Sequence, residues 1–152
     1  MEFALVAVAY LVLILAIVEF GILFWVNLTM QYAVREGARY AITGRSDLGP
    51  TRYQSIVAKM KDSSMGQWDA VAPVISITIN NGTPQDYSNT GQYTTGMFGN
   101  AGDIVVFRVN CRWPLVTPLP KMLKIINPAG TFFPSDTYAF SVAATMRNEA
   151  FQ

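Results

Sequence analysis

The chain has 152 residues, with 11 Lys and Arg against 10 Asp and Glu, a net charge of +1, no histidine and a single cysteine. That balance leaves no basic footprint for nucleic acid, and the lone Cys111 excludes an internal disulfide and any CxxC site. The missing histidine removes the commonest general base and metal ligand, so the composition argues against an enzyme and implies no cofactor or metal.

Residues 3–26 read FALVAVAYLVLILAIVEFGILFWV, with Glu19 as the only charge. As a helix rising ~1.5 Å per residue, this run is long enough to cross the ~30 Å of a bilayer's hydrocarbon. A charged side chain costs roughly 2.5–3.5 kcal/mol there, so a carboxylate kept inside the run needs a partner. On the same helix the nearest side-chain cation is Arg35, ~24 Å along the axis, and the amino group of Met1 lies ~27 Å the other way. In a bundle of identical helices, the amine best able to reach Glu19 is therefore Met1 of an axially shifted neighbour, with Glu2 competing for it. The alternative is a Glu19 that is protonated or watered within a membrane protein.

The run continues without proline through residues 27–42, where Ala33, Gly37 and Ala41 form a small-residue stripe that lets another helix approach closely. Arg39 suits a last turn, and Gly44 sits where a glycine ends a helix. Together these features predict one assembly or transmembrane helix over residues 1–43, ~60 Å long, and a head domain over residues 44–152. Such a helix is either an anchor running on into a solvated stalk or a bundle-packing element along its whole length. The cations that follow it (Arg35, Arg39, Arg45, Arg52, Lys59 and Lys61) would by charge alone place the head in the cytoplasm, and a basic leader removed from the front would reverse that.

A second helix is predicted over residues 52–61, with Thr51 and Gln54 as a capping box and Tyr53, Ile56, Val57 and Met60 on one face. Two-residue alternation then marks three strands. Ile75, Ile77 and Ile79 share one face in residues 73–80; Val105, Phe107, Val109, Cys111 and Trp113 do so in 104–113, and Tyr138, Phe140, Val142, Ala144 and Met146 in 137–147. With no long helices between them, the strands predict a three-stranded antiparallel sheet covered on one face, hence an α+β head with a short helix. Residues 81–103 are rich in Gly, Asn and Tyr and read as a solvent-exposed loop, with a contact surface as the alternative. The proline-rich connection 114–136 holds an apolar patch, 119–126, suited to a short helix closing the core, and Cys111 reads as a packed hydrophobe.

The motifs MEFALV, IVEFGILFWVN and QYAVREGARYA resemble the N-terminal region of the TadE-like pilin-related proteins of tight-adherence (Flp) pilus systems. GDIVVFRVNCRWPLVTPLP and FSVAATMRNE are similar to the middle and closing strands of that family's domain. The resemblance implies a type IV pilin-like chain: a basic leader cleaved by a prepilin peptidase, residence in the inner membrane, then assembly with copies of itself or related pilins into a surface filament used for adhesion. It also implies that Glu2 or Glu19 neutralises a neighbour's N-terminal amine. Pilins usually carry that glutamate at the fifth mature residue, whereas the first one here is second. Other readings are an accessory, minor-pilin component and a single-pass periplasmic binding protein that does not polymerise.

Overall fold

The computed structural model describes residues 2–126 and 136–149; residues 1, 127–135 and 150–152 lie outside it, as do the side chains of residues 2, 4, 5, 123, 124 and 126. The first element, α1, is one unbroken helix, Glu2–Ile42. It stops where Gly44 adopts a left-handed φ of 66° and donates its N–H to the Ala41 carbonyl at 3.2 Å, the conformation that glycine reaches without a Cβ penalty. The two halves of α1 have different surroundings. Through Val18 every described side chain is exposed or half-buried, whereas from Leu23 upward Val26, Met30, Ala33, Val34, Ala38 and Ala41 are buried. The helix is long and apolar enough to cross a membrane, and its upper half is a core element of the head.

α2 (Arg52–Ser63) crosses the upper half of α1. As the spacing predicts, it turns Ile56 and Met60 into the core, with Tyr53 and Val57 half-buried beside them. The capping box does not form. Thr51 has the extended backbone of an N-cap, but its hydroxyl donates to Gln54 Oε1 at 2.8 Å instead of accepting a backbone N–H. The small-residue stripe of α1 is where the two helices meet. A Cβ on Gly37 would overlap Met60 Cγ and stand 2.9 Å from its Sδ, so only glycine admits α2 at this depth.

The sheet comprises β1 (Val74–Ile79), β2 (Gln85–Tyr87), β3 (Ile104–Pro114) and β4 (Thr137–Arg147) in the order β2-β1-β3-β4, every pair antiparallel. It therefore has four strands where the sequence pattern predicts three. β2 is a short edge strand inside 81–103, and Gln-Asp-Tyr carries no apolar alternation to betray it. That stretch is also tied down more firmly than a solvated loop. Met97 and Phe98 lie in the core, and Tyr93 meets Tyr53 and Tyr87 edge-on at 6.1 and 6.3 Å.

The predicted apolar faces of β1, β3 and β4 join the core with α1, and Val105, Phe107, Val109 and Cys111 are fully covered; Tyr138, expected on that face, is exposed at the open start of β4. Each such large side chain contributes roughly 1.5–3 kcal/mol on leaving water, so this layer dominates the head's stability. At the upper end, polar bonds tie the elements together. Arg52 donates to Ala41 O (3.0 Å) and Gly99 O (2.7 Å), Asn148 Nδ2 to Phe98 O (2.8 Å) and Asn100 O (2.9 Å), and the Glu149 N–H to Ile42 O (3.2 Å). β4 thus climbs beside α1 and finishes at its C-terminus.

The stripe makes a prediction. Gly37→Leu should destabilise the head by about 2–3 kcal/mol through overpacking against Met60, read as a lowered denaturation midpoint of the detergent-solubilised chain. Gly21→Ala, whose Cβ meets nothing within 4 Å, should leave that midpoint within ~0.5 kcal/mol or raise it slightly. Equal midpoints for Gly37→Leu and the unmodified chain would refute the close approach.

Candidate functional site

The site is built where α1 leaves the head. β3 ends at Pro114, and α3 (Leu119–Ile126) begins a few residues later, so the turn between them carries backbone N–H groups that no strand or helix satisfies. Leu115 donates to Asp136 O at 2.9 Å, which fixes the turn to the start of β4. The next two donors point at α1. Val116 N–H lies 3.1 Å from Glu19 Oε1, and Thr117 N–H lies 2.7 Å from Oε2. Glu19 is only 3% exposed, so the buried carboxyl and two otherwise orphaned amides satisfy one another. α3 follows as predicted for residues 119–126, and Leu119 and Pro120 are buried under the head.

The candidate assembly residues fall into three groups. Glu19 sits at the junction with both oxygens engaged by its own chain, a partner that the arithmetic of side-chain cations could not find. Ala33, Gly37 and Ala41 are buried, and it is α2 of the same chain that packs on Gly37 through Met60 and reaches the Ala41 carbonyl through Arg52. Met1 lies outside the described residues and Glu2 is described only in its backbone, so the pairing expected of either with a carboxyl or an amine is outside the described residues too. Beside the junction, Phe20, Leu23, Phe24, Asn27 and Tyr138 line an open groove of about 480 Å³ between α1 and β4. Phe20 and Phe24, at the open edge of that groove, are 65% and 67% exposed.

The only cysteine is packed as expected among core residues, and burial pushes its thiol up to about 12. Among the described residues, no group of Cys, Asp and Glu side chains is arranged to hold a metal ion. The arrangement fastens a head to one side of an apolar helix and leaves the rest of that helix available.

Two outcomes follow from this geometry. Glu19→Gln keeps one acceptor and turns an amide donor toward the other N–H, which should cost about 1–3 kcal/mol. Hydrogen exchange should then accelerate at Val116 or Thr117 while the β1 and β3 amides stay protected; unchanged exchange at both would remove the clamp. Cys111 should resist iodoacetamide at pH 8 in the folded chain and react at the rate of unfolding, and prompt labelling would show the thiol to be accessible.

No curated protein and no solved structure matches the chain. The helix that carries Glu19 and most of the small-residue stripe, residues 1–39, matches the family model described as TadE-like protein, the family that its N-terminal motifs resemble.

Proposed function

We propose that this chain is a structural subunit of a tight-adherence pilus system, anchored in the inner membrane by α1 before assembling through that helix into a type IV-like surface filament for adhesion. The observation that carries the reading is the lower half of α1, which leaves the head as an apolar helix with Phe3, Val6, Leu13 and Ile17 all exposed. Such a surface requires a lipid phase or neighbouring helices, and a filament core supplies the second after the membrane has supplied the first. The TadE-like match over the same residues supports the pilus context. The function is assembly rather than catalysis, with no cofactor, and the partners are copies of this chain or related pilins.

An accessory, membrane-held role is the second reading, and one observation favours it. Glu19 finds its partners in the turn after β3, so an uncompensated carboxyl no longer requires a neighbour's amine. The assembly surface of α1 is then the segment below Glu19 together with its exposed upper flank, since Ala33, Gly37 and Ala41 are already buried within the chain, with α2 on Gly37 and at the Ala41 carbonyl.

Electron microscopy of material sheared from expressing cells separates the two readings. For a filament subunit, antibody against the head decorates fibres along their length, and the fibres vanish in a strain lacking the chain. Fibres that persist undecorated, with the chain confined to the membrane fraction, establish the accessory role and refute polymerisation.

A further inference from the structure

We infer that the lower rim of the head, formed by the turn at Val116, α3 and the flank of Tyr138, is a membrane-seating surface that lies in the lipid interface on the head's side of the bilayer. The inference rests on the reading of α1 as a membrane helix and goes beyond it in assigning the rim its own ligand, phospholipid.

Glu2 is the last charge before the apolar run, and Phe3 to Glu19 spans only ~24 Å of rise, against ~30 Å of hydrocarbon. A bilayer whose far edge lies at Phe3 therefore reaches to about Leu23, past the level at which the head begins. The head shields Glu19 on one side of α1 at that level. Around the rest of α1 Trp25 remains exposed, as do Phe20 and Phe24 along the groove beside Tyr138, as lipid-facing aromatics would be.

Val116 is 62% exposed and Ile125 80% exposed, unusual values for aliphatic residues beside a well-packed core. Val116 belongs to the turn bonded to Glu19, about one helix turn inside that hydrocarbon edge, and α3, which carries Ile125, follows directly from the turn. Lys121 is exposed one turn before Ile125 on α3, whose sequence LPKMLKII combines apolar residues with lysine as interfacial helices do. Anionic headgroups complement that charge, and the groove along Phe20, Leu23, Phe24 and Tyr138 is open to an acyl chain. Seated this way, the turn donates its amides inward to Glu19, so its polar backbone is satisfied where lipid offers no acceptor.

The test uses the full chain in vesicles of phosphatidylethanolamine and phosphatidylglycerol containing lipids brominated close to the headgroup. A bimane probe is placed singly at Ile125→Cys, Val116→Cys, Leu13→Cys or Ala101→Cys, the last in the loop bonded to Asn148 at the upper end of the head. Lipids brominated deep in the acyl chain should quench the Leu13 probe. The headgroup-proximal bromines should quench the Ile125 and Val116 probes at least twofold more than the Ala101 probe, and Lys121→Glu should reduce the Ile125 quenching about twofold in anionic vesicles only. Quenching at Leu13 with Ile125 and Val116 no different from Ala101 overturns the seating surface while leaving the anchor intact. No quenching at Leu13 overturns the membrane reading and the inference with it. Protection of the Ile125 probe that tracks protein density and not bromination assigns the rim to a second copy of the chain and likewise overturns it.

Discussion

Two hydrogen bonds from the turn after β3 to the carboxyl of Glu19 mark the point where one helix passes from a bare apolar surface into a protein core. The rest of the architecture depends on that passage. A helix that is apolar on every side normally belongs wholly to a membrane or wholly to an interior. α1 belongs to neither along its full length: below Glu19 it is uncovered, and above it one face is the floor of the sheet. The carboxyl at the boundary is buried, yet the amides it accepts would themselves be orphaned without it, so removing either partner strands the other.

Above the boundary the packing is organised by size. Gly37 lets α2 come close enough for Met60 to fill the space where a side chain on residue 37 would stand. The larger residues Met30 and Val34 of the same helix lie in the core cluster with the covered face of the sheet. Arg52 and the Glu149 N–H then close the upper end around the Ala41 and Ile42 carbonyls of α1, where a helix end leaves acceptors unfilled, while Asn148 holds the loop at Phe98 and Asn100 beside them.

Much of this was legible in the residues, for definite physical reasons. A long proline-free apolar run gives α1, ending at Ile42 just ahead of Gly44, and two-residue alternation gives the inward faces of β1, β3 and β4, except at Tyr138, where β4 starts beyond the cover of the core. β2 escaped because three residues of an edge strand have no covered face to imprint a pattern, and the burial of Phe98 depends on how its loop returns across the sheet. The Thr51–Gln54 pair has capping-box spacing, but spacing alone does not choose between a backbone and a side-chain acceptor. The partner of Glu19 was the least legible of all. It consists of main-chain amides almost a hundred positions away, and a main-chain donor carries no residue type for a sequence to display. The small-residue stripe announced a close helix contact without saying whether the second helix came from another chain or from this one.

The course of β4 beside α1 has a consequence for load. β4 enters the sheet near the level of Leu23 and ends with Glu149 bonded to Ile42, and it is laddered to β3 from Ile104–Arg147 at one end to Pro114–Thr137 at the other. Tension drawn down the helix axis therefore reaches the sheet as shear along its strands, where the hydrogen bonds lie across the pull and are stressed together instead of opening in turn. A head attached in this manner is suited to transmitting traction from whatever it touches to the helix below, with the fastening at Glu19 keeping the lower edge of the head from peeling away from its mast.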